Sequence, residues 1–139
     1  MIAIIRIKGM VNINEDVENT LSRLRLRRKY ACTLVDMNNN EINGMVKKIR
    51  NFVAYGEIDK PTLIDLIKQR GQNLDKTKKI DPEKISEILL KEKKFNNTGI
   101  KPFFRLHPPR GGINSKDHFP IGVLGNHKEK INNLLRRML

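Results

Sequence analysis

The 139-residue sequence has one cysteine, so it cannot form an internal disulfide and needs no oxidising compartment. It has no apolar run near the ~18 residues that a membrane span requires. The opening MIAIIRIKGM has no basic stretch ahead of its apolar residues, so a secretory signal is not expected there. Phosphate-cradling loops, dinucleotide fingerprints and paired-carboxylate motifs are missing as well. His107, His118 and His127 are spaced unlike the short ligand pairs of zinc sites, and no metal or cofactor is expected. Acidic residues are scarce too, with 15 Asp and Glu against 28 Lys and Arg, for a net charge of +13.

That imbalance is the main positive signal. Solubility in a small domain needs a net charge of only ~2–8. A larger excess repels itself in the compact state, and a polyanion would remove the penalty. Nucleic acid is the usual partner, through counterion release, and no membrane partner is expected. Hydrophobic residues make up 38% of the chain, enough for a core. At this length ~68% of the unfolded surface is buried on folding, so residues 1–139 are expected to form one domain.

Periodicity predicts alternating strands and helices. Residues 2–8 alternate as a strand with one face buried, with Ile5 and Ile7 against Arg6 and Lys8. Asn14 caps a helix striped by Val17, Leu21 and Leu24, and a second strand covers 31–37. Ile42, Met45, Val46 and Ile49 stripe the next helix, and 51–58 form a third strand. Pro61 opens a helix that Gly71 closes as a left-handed cap. A polar loop is expected over 72–79 and a helix from Asp81-Pro82. Residues 95–119 show no period, Gly122 to Leu124 suggest a short strand, and Asn126 caps a final helix.

The fold class is therefore α+β. Residues 1–58 form a β-α-β-α-β core with its helices on one face of the sheet, ferredoxin-like in appearance. Residues 59–94 add helices, 95–125 form an irregular basic arm, and 126–139 a C-terminal helix.

The charge is uneven, +4 over residues 1–60 and +9 over 61–139, with two acid-free windows. The first holds Arg23, Arg25, Arg27, Arg28 and Lys29. Read as a continuing helix, it would stack Arg23 and Arg27 on one face, where like charges repel unless a partner neutralises them. Arginine suits bidentate phosphate contact, although a solvated helix end would also favour cations. The second window holds Lys93, Lys94, Lys101, Arg105, Arg110 and Lys116. It also contains Phe103, Phe104, His107 and Pro108-Pro109, and then Gly111 and Gly112 beside Arg110. Adjacent phenylalanines in a strand point to opposite faces, so one ring could meet an unpaired base while the other is buried. Glycines beside Arg110 allow the backbone to approach phosphate. His118 and the helix cations Arg136 and Arg137 complete the candidate RNA-binding residues. Cys32, in an apolar run, reads as a small core residue rather than a catalytic thiol.

Several of these stretches carry a specific resemblance. They are Ile4-Ile5-Arg6-Ile7-Lys8-Gly9; Thr20-Leu21 through Leu24-Arg25-Leu26-Arg27-Arg28; and Gly56, Lys60-Pro61, Leu66-Ile67 and Arg70-Gly71. Pro109-Arg110-Gly111-Gly112 with His118-Phe119, and Gly125-Asn126 through Leu135-Arg136-Arg137-Met138, follow in order. Together they resemble the universal large-subunit ribosomal protein family called "thirty", in its archaeal form, whose eukaryotic relatives are called "seven". The bacterial form is only about as long as the front core, and the long basic N-terminal extension of eukaryotic members is not expected here. The resemblance implies a three-stranded antiparallel sheet and a non-catalytic, cytoplasmic role on the ribosome. The implied partner is 23S rRNA, with 5S rRNA and neighbouring large-subunit proteins as further candidates. Two alternatives stay open on the residues alone. One is a small RNA-processing or RNA-modifying enzyme using His107, Asp117 and His118; the other is a binder of duplex DNA.

Overall fold

A computed structural model describes residues 1–9, 13–36, 38–74, 79, 81–92, 99–114 and 116–139. Lys93, Lys94, the start of the arm at Phe95, the end of the second strand at Met37 and most of the second half of the 72–79 loop lie outside the described residues.

The chain runs β1 (Ile2–Arg6), α1 (Glu15–Arg23), β2 (Ala31–Val35), α2 (Asn40–Ile49) and β3 (Val53–Glu57). It continues through α3 (Lys60–Arg70), α4 (Pro82–Glu92), β4 (Phe104–Arg105) and β5 (Gly125–Asn126). A 3-10 turn over Lys128–Lys130 then leads into α5 (Ile131–Met138). The expected β-α-β-α-β core is present, with β1 antiparallel to both β2 and β3; Ile4 sits opposite Thr33 and Tyr55. Two short edge strands extend it to five, in the order β4-β2-β1-β3-β5. β4 pairs antiparallel with β2, and β5 pairs parallel with β3. The short strand expected at 122–124 is displaced to Gly125–Asn126.

Burial departs from the one-faced strand read from β1. Ile4 packs with Val17, Leu21, Leu26, Val46 and Ile49 on the face covered by α1 and α2, as expected for the core helices. Ala3, Ile5 and Ile7 pack on the other face with Leu63, Leu66, Ile67, Leu89 and Leu135. The added helices α3, α4 and α5 thus form a second layer, and β1 is buried on both sides. Alternation places Arg6 on the Ile4 face, where it is only 2% exposed. Its guanidinium donates to three backbone carbonyls: Nε to Lys8 O at 3.0 Å, one terminal nitrogen to Leu26 O at 2.8 Å, the other to Gly9 O at 3.2 Å. Burial draws its pKa down from the ordinary arginine value, with Glu18 pulling the opposite way.

Asn14 caps α1 as expected, and two further polar residues cap α2 and α3. Asn14 Oδ1 accepts from Asp16 N, Asn39 Oδ1 from Glu41 N and Asp59 Oδ1 from Thr62 N. Two helix ends differ from expectation. Gly71 has φ −64°, so its cap is not left-handed. A Cβ there would lie 2.4 Å from the Ile67 carbonyl oxygen, so close approach rather than backbone handedness requires the glycine. Asn126 lies in β5, where its Oδ1 accepts from Lys128 N at 2.9 Å; the 3-10 turn has His127 as its N-cap without a side-chain cap bond, and α5 begins only at Ile131.

Replacing Arg6 by Leu would leave three loop carbonyls without their charged donor. It is expected to lower stability by roughly 3 kcal/mol, read as a shift of the urea midpoint at constant m-value.

Candidate nucleic-acid interface

The basic run after α1 does not continue the helix. Leu26 N donates to Leu21 O at 2.8 Å and Arg25 N to Ser22 O at 3.0 Å, which together form a Schellman ending. The left-handed position of that motif, usually glycine, is held by Arg25 at φ 63°. Arg23 and Arg27 therefore do not share a helix face. From Leu24 onward the loop alternates instead: Leu24 and Leu26 are buried, while Arg23, Arg25 and Arg27 are exposed. Leu26 returns to Leu21 in the core, and its carbonyl accepts from Arg6. The loop closes at Tyr30, also at positive φ, whose N–H donates to Arg6 O at 2.7 Å. The Lys29 ammonium sits 5.1 Å from the Tyr30 ring centre.

β4 brings the second basic window to this loop. Arg105 pairs opposite Ala31 and Phe104 opposite Cys32. Phe104 points into the core at 1% exposure, so it cannot meet a base, and its place among the RNA-contacting residues is corrected on that ground. Phe103 points the other way and is half-buried, with the Arg105 guanidinium carbon 5.7 Å from its ring centre. Arg25, Arg27, Arg28 and Lys29 line one side of a cavity of about 380 Å³, and Phe103 and Arg105 line the other. Arg25 and Arg27 also border an open hollow of about 580 Å³ with Arg23, Asn19 and Ser22. The two acid-free windows thus meet in part on one surface.

The rest of the second window is held elsewhere. The Arg137 guanidinium donates to Arg110 O at 2.8 Å and to Gly112 O, and Arg110 N donates back to Arg137 O. Arg137 thus holds the arm through Nε and one terminal nitrogen. Gly111 and Gly112 sit at φ 80° and 74°, where glycine is favoured, and both are exposed beside Arg110. Arg136 pairs with Asp65 at 2.9 Å. His107 contacts the Pro108 and Leu139 carbonyl oxygens, while His118 Nε2 lies 2.8 Å from Asn51 Oδ1. Asp117 takes a hydrogen bond from Asn114 rather than orienting His118. Lys101 is partly buried, its N–H donating to Gln72 O, and Lys116 is exposed.

One contributor was not legible as a site residue: Arg6 looked like a surface position because it alternates with isoleucines. Burial pushes the Cys32 thiol up to about 12, so it stays protonated, in keeping with a core role. Among the described residues no His, Cys, Asp and Glu group is placed to hold a metal, and no helix is long and apolar enough to cross a membrane.

His127 is a structural histidine. It is buried, its ring centre is 4.6 Å from that of Phe119, and Nε2 lies 2.5 Å from Val123 O. Burial lowers its pKa below the ordinary value, only partly offset by the Val123 carbonyl. The unfolded chain therefore takes up a proton as pH falls through about 6.5 while the folded state resists it. Stability should fall between pH 7.5 and about 5.5. His127→Gln should flatten that dependence in urea titrations at the two pH values. At the loop, Arg25→Gly should raise stability by about 1 kcal/mol by removing left-handed strain, and thermal melts would read it.

With this geometry in view, the comparisons with known proteins fall into one pattern. A sequence profile described as Ribosomal protein L30p/L7e matches residues 2–53. The chain is similar to the large ribosomal subunit protein uL30 of Methanococcus vannielii, 39% identical over 99% of this chain and 98% of the relative. It is similar to the uL30 of Desulfurococcus amylolyticus at 39% identity, covering 99% and 97%. The uL30 of Archaeoglobus fulgidus is 36% identical, covering 99% of both chains.

Proposed function

The chain belongs to the L30p/L7e family of ribosomal proteins, and from that premise we propose that it is a structural constituent of the large ribosomal subunit that grips 23S rRNA through its cationic surface. The family is one of structural proteins rather than enzymes, and the place of action is the cytoplasmic ribosome. The observation that carries the RNA reading is the convergence of Arg25, Arg27, Arg28 and Lys29 with Phe103 and Arg105 around one cavity. Guanidinium groups there are exposed for bidentate phosphate contact, and Phe103 supplies a ring. Arg110, Gly111, Gly112, Lys116 and His118 offer a second contact region, which Arg137 holds in shape. Arg23 extends the first patch through the hollow it shares with Arg25 and Arg27, and Lys101 and Arg136 are further candidates, Arg136 paired with Asp65. Residues 1–139 act as a single domain in this reading. 5S rRNA and neighbouring large-subunit proteins are further candidate partners.

Filter binding to large-subunit rRNA over a salt series tests the proposal. Affinity should fall steeply with salt, with a log–log slope of about 0.7–0.9 per neutralised phosphate. Replacing Arg25, Arg27 and Arg28 together by Ala should weaken binding and flatten the slope by about 1 per lost contact. Binding indifferent to salt, or a triple variant that behaves like the parent, would remove the first patch from the interface.

A further inference from the structure

We propose that the cavity between the 24–30 loop and β4 is a single-nucleotide pocket that accepts one unstacked RNA nucleotide, its base on the Phe103 ring and its phosphate among the loop arginines. The inference rests on the RNA-binding reading and adds to it the chemical form of the ligand. At about 380 Å³ the cavity lies within the range of sites that enclose one small molecule. Its two walls differ in chemistry. The β4 side offers the Phe103 ring, with the Arg105 guanidinium carbon 5.7 Å from its centre, and any base can stack on an aromatic ring. The loop side offers three arginines and a lysine and no carboxylate.

Both walls are set before a ligand arrives. Next to Phe103, Phe104 is locked in the core and Pro102 O accepts from Thr33 Oγ1 at 3.1 Å. Beyond β4, Leu106 N donates to Tyr30 O at 3.1 Å, which ties the strand to the end of the basic loop. The backbone on either side of the ring is thereby held in place. On the loop side, Arg25 occupies a backbone position where glycine would be less strained. Strained backbone of this kind clusters at functional sites. A paired base has both faces stacked and its phosphate outside the helix, so it cannot satisfy both walls at once. A nucleotide splayed from a bulge, loop or junction can.

The test uses the full chain bound to large-subunit rRNA and three substitutions, each first checked for an unchanged melting temperature or, for Arg25→Gly, a raised one. Phe103→Leu should weaken binding about 5- to 150-fold with an unaltered salt slope, because the ring carries no charge. Phe103→Tyr, which keeps the ring, should bind within about threefold of the parent. Arg25→Gly should lower both affinity and slope. Ultraviolet crosslinking followed by mass spectrometry should place a nucleotide adduct on Phe103. The inference is overturned if Phe103→Leu binds as the parent does. It is equally overturned if Leu and Tyr weaken binding alike, or if adducts form only elsewhere. Loss of all salt-dependent RNA binding by the parent chain would instead sink the reading beneath it.

Discussion

The interaction on which the structure turns is the Arg6 guanidinium, a cation placed in the middle of a sheet and buried against backbone. A buried charge needs hydrogen-bond partners, and this one is solvated by backbone dipoles: three carbonyls converge on its donors. Two of those carbonyls belong to the turn after β1 and the third to Leu26 in the basic loop. Its own carbonyl takes the Tyr30 N–H at the other end of that loop. One residue in the central strand therefore fixes both the middle and the exit of the segment that carries the exposed arginines. The site is displayed by a core residue of the same charge, shielded from it by the backbone between them.

Among the described residues, surface charge near that loop is left largely uncompensated. The ion pairs Lys48–Asp16, Lys60–Glu87 and Arg136–Asp65 lie between helices, and all three are exposed, so each contributes little. None involves Arg25, Arg27, Arg28, Lys29 or Arg105. The fold carries this self-repulsion on the strength of two apolar layers, one on each side of the sheet, rather than by internal neutralisation.

Much of the core was legible because local signals agreed with tertiary ones. Asn14, Asn39 and Asp59 cap helices where polar residues precede apolar stripes, and β1, β2 and β3 fall within their predicted runs. The end of α1 was not, because a left-handed turn at arginine leaves no glycine to read; only the return of Leu26 to Leu21 explains it. The second buried face of β1 was hidden by Arg6, whose polarity imitates a solvent position. Alternation showed that Phe103 and Phe104 part company, but which one turns outward depends on β4 pairing with β2, a contact between segments about 70 residues apart. The two charge windows were visible as composition, and their meeting was not, for the same reason.

The outer strands have a consequence in time. Both edges of the sheet come from the last third of the chain, β4 beside β2 and β5 beside β3. During synthesis, Arg25 emerges about 80 residues ahead of Phe103, a delay of roughly 4–16 s at ordinary elongation rates. In that interval β2 and β3 each have an open edge, and the arginine loop has no opposite wall. The nascent front half then carries its cations with one wall of the cavity missing, and the cavity is complete only once β4 has paired with β2.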